Sequence, residues 1–168
     1  MTVRRIILRQ PTRDDQRAFL QAVRRSRALH RPWVSPPATP SRFKAMLARM
    51  STAEYRSFLV CTRDSNEIAG VVNISNIVMG MLRGAHLGYY AFAGFERRGL
   101  MGEGIRAVVR VAFSQIRLHR LEANIQPTNA ASIALVRSCG FTKEGFSPRY
   151  LKIGGRWRDH ERWAIRSS

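Results

Sequence analysis

Cysteine is scarce in this chain of 168 residues, which contains only Cys61 and Cys139. The two lie far apart in the sequence, and neither has neighbouring residues at the spacing of metal ligands. This pattern argues against a disulfide framework and against a zinc site. It predicts a protein of the reducing cytoplasm that uses no metal.

Acidic residues are also few, since 11 of them stand against 29 lysines and arginines and leave a formal net charge of +18. Such a positive field favours polyanionic surroundings, either RNA or a multiply phosphorylated cofactor. It disfavours small polycationic substrates such as aminoglycosides, which the field would repel. No apolar run approaches the roughly 20 residues that cross a bilayer, so no membrane contact is expected. The short apolar run at residues 6–8 is followed at once by charge, which is unlike a signal peptide.

Strands and helices alternate along the chain without repeats or linkers, as apolar runs, caps and breakers indicate. The predicted strands cover residues 6–8, 57–62, 67–78, 86–92, 121–125, 141–153 and 156–165, and the predicted helices follow Thr12, Ser41, Gly99 and Asn129. The run at 86–92 is apolar enough for a strand buried on both faces. Proline density predicts a loop over residues 30–40. This order predicts one α/β domain over residues 1–168, with a mixed sheet covered on both faces.

A glycine-rich basic turn joins a strand to the long helix in the middle of the chain. Gly99, Gly102 and Gly104 follow Arg97 and Arg98. A helix N-terminus presents unpaired N–H groups and favours an anion, and glycine lets a phosphate approach the backbone closely. The spacing fits neither the dinucleotide fingerprint nor the P-loop. Two interpretations are open at this point, a pyrophosphate cradle or a tight turn whose glycines serve packing.

Four further segments, taken with this turn, resemble the GNAT acetyltransferase superfamily over nearly the whole chain. They are L-H-R-L-E-A-N-I-Q-P-T-N-A-A-S (118–132), C-G-F-T-K-E-G-F (139–146), Y-L-K-I-G-G-R-W-R-D-H (150–160) and G-V-V-N-I-S-N-I-V-M-G (70–80). The last two are most similar to the RimJ branch of the RimJ/RimL-type enzymes that acetylate ribosomal-protein N-termini. The resemblance implies a mostly antiparallel sheet of about seven strands flanked by about four helices. It also implies acetyl-CoA as cosubstrate and a protein N-terminus as acceptor.

The resemblance also implies which residues contact the cofactor. The superfamily motif Q/R-x-x-G-x-G/A aligns with residues 96–101, where Glu96 and Met101 depart from it. Backbone N–H groups from about Arg98 to Gly102 would hold the pyrophosphate, residues 91 and 92 the pantetheine arm from one side, and Asn129 the same arm from the other. The implied cofactor contacts are Ala91, Phe92, Arg97, Arg98, Gly99, Leu100, Met101, Gly102, Asn129 and Ser132.

Candidate catalytic residues follow from the same comparison. Ser132, in N-x-x-S, is placed to protonate or hydrogen-bond the coenzyme A sulfur, with helix capping as the alternative. Glu122 is the first candidate for the general base and an ordinary ion pair with an arginine is its alternative. Arg149 stands where some relatives carry a glutamate. Asp159, His160 and Glu161 are a further option for the base, although a structural role in the last hairpin is favoured for His160.

The absence of an obvious strong base tilts the prediction toward N-terminal over lysine acetylation. A protein α-amine has a pKa of ~7.7–8.0 against ~10.4 for lysine, so less free energy is needed to make it neutral. Cys139 is expected to be a buried thiol and not a nucleophile. Trp33 either lines the acceptor slot or fills the core.

Two other functions stay open: acetylation of a small amine on the same fold, and a ribosome- or RNA-binding module that uses the basic surface. The sequence is compatible with a monomer or a homodimer.

Overall fold

A seven-stranded mixed sheet organises the chain, for which a computed structural model describes residues 5–168. Its strands are β1 (Ile6–Arg9), β2 (Arg56–Thr62), β3 (Ile68–Val78), β4 (Gly84–Ala91), β5 (Arg120–Ile125), β6 (Thr142–Ile153) and β7 (Arg156–Arg166). The helices are α1 (Gln16–Arg25), α2 (Arg27–His30), α3 (Pro40–Arg49), α4 (Leu100–Ser114) and α5 (Ala130–Ser138), with a 3-10 turn at Arg13–Asp15. Residues 1–4, which belong to the predicted domain and to the segment judged unlike a signal peptide, lie outside the described residues.

The order of the strands opens a gap in the middle of the sheet. The order is β1-β2-β3-β4-β5-β7-β6, and every neighbouring pair is antiparallel except β4 and β5. That parallel pairing runs only from Gly84 opposite Arg120 to His86 opposite Glu122. Beyond His86 the two strands diverge, so the C-terminal half of β4 has no hydrogen-bonded neighbour on its β5 side.

Helices cover both faces of the sheet, as the sequence predicts. On one face α4 lies against β2 so closely that a Cβ on Gly104 would be 2.5 Å from Cγ2 of Val60. On the other face the ring of Phe19 in α1 packs against Phe43 of α3 and Phe92, at centroid distances of 5.0 and 5.7 Å. Alternate residues of a strand point to opposite faces, so the adjacent side chains of β4 reach different helices.

Two details of the predicted elements are wrong. The strand at 86–92 is not buried on both faces throughout, because Gly88 is exposed and residues 89–91 are half-buried beside the gap. Helix α3 begins at Pro40 and is capped by Thr39, whose Oγ1 accepts from the N–H of Arg42, and not by Ser41. Proline is favoured at the first helical position because its missing N–H would have no partner there. No helix within residues 5–168 is long and apolar enough to cross a membrane.

Candidate active site

A single cavity of about 860 Å³ occupies the gap between β4 and β5. Its walls come from β4, β5, the N-terminal turn of α4, one side of α5, and the segment from α2 into the proline-rich loop. Its lining thus includes residues of the predicted anion site as well as Trp33 and His160.

The N-terminus of α4 is open to an anion. Gly99 precedes the helix with φ 76°, a left-handed conformation that glycine adopts at low cost, and no side chain caps the first turn. The first N–H groups of a helix have no intrahelical partner, so those of the residues after Gly99 can bind an external acceptor. Glu103 would oppose an anion here, but the Arg5 guanidinium pairs with it, with Nε 2.7 Å from Oε1.

The free edge of β4 carries backbone groups that point into the gap. The N–H of Phe92 donates to the carbonyl of Ala69 at 2.8 Å, and the register places Ala91 opposite Gly70. In an antiparallel ladder, residues bonded to the neighbouring strand alternate with residues whose groups point away from it. Ala91 and Tyr89 thus direct their N–H and C=O groups toward the gap, where the Ala91 carbonyl is already bonded by His30. The N–H of Ala91 and both backbone groups of Tyr89 are left for an extended amide chain.

Ser132 and Tyr89 form a hydroxyl pair on the wall that faces α5. The Tyr89 hydroxyl is 2.5 Å from Oγ of Ser132. The cap of α5 is Asn129, whose Oδ1 accepts from the N–H of Ser132 at 3.2 Å, so the serine side chain is not needed for capping. Burial raises the pKa of Tyr89 well above its ordinary value, and the hydrogen bond with Ser132 offsets only part of that shift. Both hydroxyls are therefore protonated donors near neutral pH.

The opposite wall carries polar groups without partners. The hydroxyl of Tyr90 and Oδ1 of Asn124 are buried and have no hydrogen-bond partner in the described part of the chain. His30 closes this side, with Nε2 2.7 Å from the Ala91 carbonyl and its ring 5.3 Å from that of Tyr90. Trp33 lines the same cavity and is half-buried, so it does not fill the core, and its place in an acceptor slot stays a prediction.

The structure brings most of the predicted cofactor contacts together in this cavity. Those that line it are Ala91, Arg97, Gly99, Met101, Gly102, Asn129 and Ser132. Phe92 and Leu100 are instead packed into the core, at 0% and 3% exposure. Arg98 lies outside the lining, with its guanidinium over the ring of Phe95 and its carbonyl bonded by Arg5. Of these three, Leu100 would contribute only its N–H.

Glu122 does not line the cavity. Its Oε1 is 2.7 Å from Nε of Arg120, and its Oε2 is 3.9 Å from Nε2 of His86. Arg120 also pairs with Glu144, so the carboxylate belongs to an ion-pair network on the β5 surface. The arrangement matches the ion-pair interpretation, and a catalytic role for Glu122 through water stays a prediction.

Sequence reasoning missed Tyr89 and Arg5. Tyr89 belongs to a run of apolar and aromatic residues that is typical of a buried strand. Only the fold shows that its side chain lies on the face of β4 that packs against α5, where its hydroxyl contacts Ser132. Arg5 is 98 residues from Glu103 in the chain. Glu96, the predicted acidic departure, is turned back onto the loop, where Oε2 accepts from the N–H of Gly94 at 2.6 Å. The excess of arginines over acidic residues is the one feature of the sequence that indicates that a carboxylate such as Glu103 would be paired with a cation.

A model of the acetyltransferase (GNAT) domain family matches residues 5–142. The chain belongs to the GNAT acetyltransferase family. It is 35% identical over 117 residues to the probable N-acetyltransferase YjcK of Bacillus subtilis (strain 168), covering 70% of this chain and 65% of that protein. It is 41% identical over 97 residues to the ribosomal protein uS5-alanine N-acetyltransferase of Escherichia coli (strain K12), covering 58% and 50%. The matches thus span about half to two thirds of the length of these relatives.

Solved structures agree with the GNAT fold. Mycobacterium smegmatis RimJ in complex with CoA-disulfide superposes with a TM-score of 0.88 at 26% identity, covering 96% of this chain and 82% of that one. A spermidine N-acetyltransferase from Vibrio cholerae reaches 0.82 over 96% and 95% of the two chains, but at 21% identity it shows likeness of fold alone. The predicted family, the RimJ-type resemblance and the seven-stranded α/β fold are confirmed.

Proposed function

We propose that this GNAT protein transfers the acetyl group of acetyl-CoA to the N-terminal α-amine of a protein. The observation that carries the proposal is one cavity that joins the open N-terminus of α4, the free edge of β4 and the Ser132–Tyr89 hydroxyl pair. These are an anion site, an amide-binding edge and a proton donor, which are the groups that a phosphorylated thioester would need.

Acetyl-CoA fits the chemistry of this end of the cavity. Its pyrophosphate suits the uncapped N–H groups after Gly99, with Arg97 adding positive charge and Arg5 removing the opposing charge of Glu103. Its pantetheine amides suit the outward N–H groups of Ala91 and Tyr89 and the outward C=O of Tyr89. The bound cosubstrate supplies an activated acyl group as a thioester, so no covalent enzyme intermediate is required.

Ser132 is proposed as the proton donor to the departing sulfur. A thiolate leaves more readily when it receives a proton or a hydrogen bond. The Ser132 hydroxyl lies on the cavity wall, and Tyr89 at 2.5 Å can return a proton to it. Asn129 caps the helix by accepting a hydrogen bond from the N–H of Ser132, which fixes the backbone that carries the Ser132 hydroxyl.

A protein N-terminus is the acceptor that the acceptor-side residues support best. Glu96 is the one carboxylate among the described residues that line the cavity, and it belongs to the turn before α4. A polyamine would need carboxylates at the mouth, whereas Trp33, Val34 and Leu29 offer an apolar rim to a peptide. The uS5-alanine N-acetyltransferase relative favours a ribosomal protein as acceptor, which would place the reaction in the cytoplasm.

Acetyl transfer to peptides tests the proposal. The purified protein is mixed with acetyl-CoA and peptides that match ribosomal-protein N-termini and also contain a lysine, and tandem mass spectrometry locates the added acetyl group. Acetylation of the α-amine is expected. A matched peptide with a blocked N-terminus and a free lysine should stay unmodified.

Two results would contradict the proposal. Failure to bind coenzyme A in calorimetry would exclude the cosubstrate. Faster turnover of small amines than of every peptide would replace the protein N-terminus with a small-molecule acceptor.

A further inference from the structure

His160 is a buried imidazole in the lining of the cavity, with 3% of its surface exposed. Its Nδ1 is 2.9 Å from the backbone carbonyl of Arg158. A carbonyl oxygen can only accept a hydrogen bond, so Nδ1 carries the proton in the neutral ring. The other nitrogen, Nε2, then carries a lone pair. No group within residues 5–168 forms a recorded hydrogen bond with Nε2.

The register of β7 sets His160 beside the acceptor wall. Asn124 of β5 pairs with Arg162 and Ile125 with Glu161, so His160 is the next residue along β7 and shares a face with Asn124. Asn124 and Gln126 also line the cavity, and Oδ1 of Asn124 is buried without a partner. A buried acceptor atom that lacks a donor is costly unless a ligand supplies one. An amine or ammonium group has N–H donors for both Oδ1 and Nε2.

We propose that Nε2 of His160 is the base that takes the proton from the acceptor amine, while Oδ1 of Asn124 accepts a second N–H and orients the nitrogen. This inference rests on the proposed function and identifies the general base, which the proposed function does not assign. The ammonium gives one proton to Nε2, and its freed electron pair forms the bond to the acyl carbon. The C–S bond breaks, and the sulfur takes the proton of Ser132. The acylated nitrogen then loses its second proton, which returns through solvent to the Ser132 oxygen. The imidazolium loses its proton to solvent after the amide has formed.

The second imidazole of the cavity is less suited to this task. His30 donates from Nε2 to the Ala91 carbonyl, and its ring is packed against Tyr90 and Phe92. Burial lowers the pKa of His30, and the hydrogen bond to that carbonyl offsets only part of the shift. Its contacts hold the end of β4 in place, so His30 is a positioning residue for that edge.

Two charged side chains flank His160 on its own strand. Arg158 and Arg162 lie two residues to either side of it, on the same face of β7, and Nε of each is buried with no hydrogen-bond partner among the described residues. Tyr150 packs from β6 with its ring 6.3 Å from that of His160. The titratable and charged side chains that share the cavity lining with His160 are His30, Tyr89, Tyr90, Glu96 and Arg97. Tyr89 and Tyr90 stay neutral because burial raises the pKa of each phenol far above neutrality. Glu96 and Arg97 belong to the turn before α4 and not to the β5–β7 wall.

The test is the pH dependence of the His160→Asn variant. Asparagine can still donate to the Arg158 carbonyl but has no group in the place of Nε2. We expect kcat for an α-amine peptide to fall about 10²-fold near pH ~6.5, in line with the usual worth of a general base. The loss should shrink as pH rises past the amine pKa of ~7.7–8.0, because the neutral amine then needs no base. The affinity for acetyl-CoA should not change.

His119→Asn is the matched control, since His119 is an exposed histidine just before β5 that is bonded to Ser167. It should retain the wild-type pH profile. Equal kcat for His160→Asn and wild type near pH ~6.5 would overturn the inference, as would a loss that is the same at every pH. The proposed function would survive both results, because the wild-type enzyme still acetylates the peptide.

A nitrogen NMR titration of the wild-type enzyme covers the case in which the variant fails to fold. The proposal requires His160 to be protonated on Nδ1 and free on Nε2 when neutral. A ring protonated on Nε2, or one that stays charged through pH ~9, would overturn it. If the wild-type enzyme acetylates no peptide, the proposed function is contradicted. The NMR titration would still show whether His160 has the protonation state that the inference requires.

Discussion

The hydroxyl of Ser132 shows how one residue acquires a role through its neighbours. Its position in N-x-x-S is equally consistent with capping and with catalysis, because both uses begin from the first turn of a helix. In the folded chain Asn129 caps the helix, and the Ser132 hydroxyl is bonded to Tyr89 on a different element. The side chain is thereby left to the cavity.

Replacing Ser132 with alanine is expected to lower turnover more than acetyl-CoA affinity. Removal of a proton donor acts on the transition state and typically costs on the order of 10²-fold in kcat. Ser138→Ala is the matched control, because Oγ of Ser138 bonds only locally to the carbonyl of Leu135 and the sulfur of Cys139. Steady-state kinetics and calorimetry measure the two quantities. An unchanged rate for Ser132→Ala would return this serine to a local structural role.

Cys139 illustrates a residue whose environment argues against chemistry. It follows α5 with 7% exposure, and its sulfur lies 3.7 Å from the carbonyl of Gly102. Burial raises the pKa of this thiol, which the nearby Ser138 and Arg106 only partly offset. The thiolate is the reactive form, so the prediction of a buried, unreactive thiol agrees with what surrounds the sulfur.

At the scale of elements, two glycines serve α4 in different ways. One lies at its N-terminus, the predicted anion site, and the other lies in its middle, where the helix approaches β2 closely. Gly99 serves the first position through a left-handed backbone, and Gly104 serves the second position through the absence of a Cβ. The packing interpretation of the glycine-rich turn therefore applies at Gly104, and the pyrophosphate cradle at Gly99 stays a prediction.

Gly99→Asp is expected to weaken acetyl-CoA binding by about tenfold or more, equivalent to ~1.4 kcal/mol. A carboxylate before α4 would occupy the anion site and repel the pyrophosphate. Gly99→Asn is the matched control, because asparagine tolerates the same left-handed backbone and has nearly the same size without the charge. Calorimetry compares the two variants. Equal affinity for both would mean that the phosphates bind elsewhere.

Gly104→Ala is expected to lower the free energy of unfolding by about 1–3 kcal/mol, the usual cost of overpacking a core. Alanine inside a helix would otherwise stabilise it by roughly 1 kcal/mol, so the sign distinguishes packing from helix propensity. The clash is with Val60, and a Val60→Ala change should recover part of the loss. A double-mutant cycle by urea denaturation measures that coupling. A more stable Gly104→Ala protein would show that α4 has room to move away.

At the scale of the whole molecule, the charge is unbalanced even after pairing. Asp15, Glu103, Glu122, Glu144 and Glu161 all have basic partners within 4 Å. Since the 29 basic residues outnumber the 11 acidic ones, pairing leaves the formal net charge of +18 on basic side chains without an acidic partner, and most of these are arginines. A polyanion near the acceptor would be attracted from a distance, which raises association rates.

Binding to a ribosomal RNA fragment is expected to weaken by about tenfold or more between ~50 and ~200 mM salt, because each neutralised phosphate releases counterions. Fluorescence anisotropy at a series of salt concentrations gives the slope of log affinity against log salt. An uncharged peptide nucleic acid of the same sequence is the control and should not bind. Affinity that does not change with salt would exclude a phosphate-driven contact.

The sequence by itself determined the elements and the family of this protein. Apolar periodicity, caps and turn residues are local, so the strands, the α4 and α5 helices and the hairpin at Gly154-Gly155 could be predicted close to their observed bounds. The motifs between residues 70 and 160 carried the family because they combine many positions. The composition likewise determined the basic surface, since charge does not depend on the fold.

Only the tertiary structure decided which side chains meet. The divergence of β4 from β5 after His86 creates the cavity, and pairing between distant strands is not written in any local pattern. The register of the strands places the Tyr89 hydroxyl against Ser132, and it places Glu122 in an ion pair with Arg120. Since a shift of one residue along a strand reverses the face of every side chain, site chemistry depends on register that the sequence pattern alone leaves open.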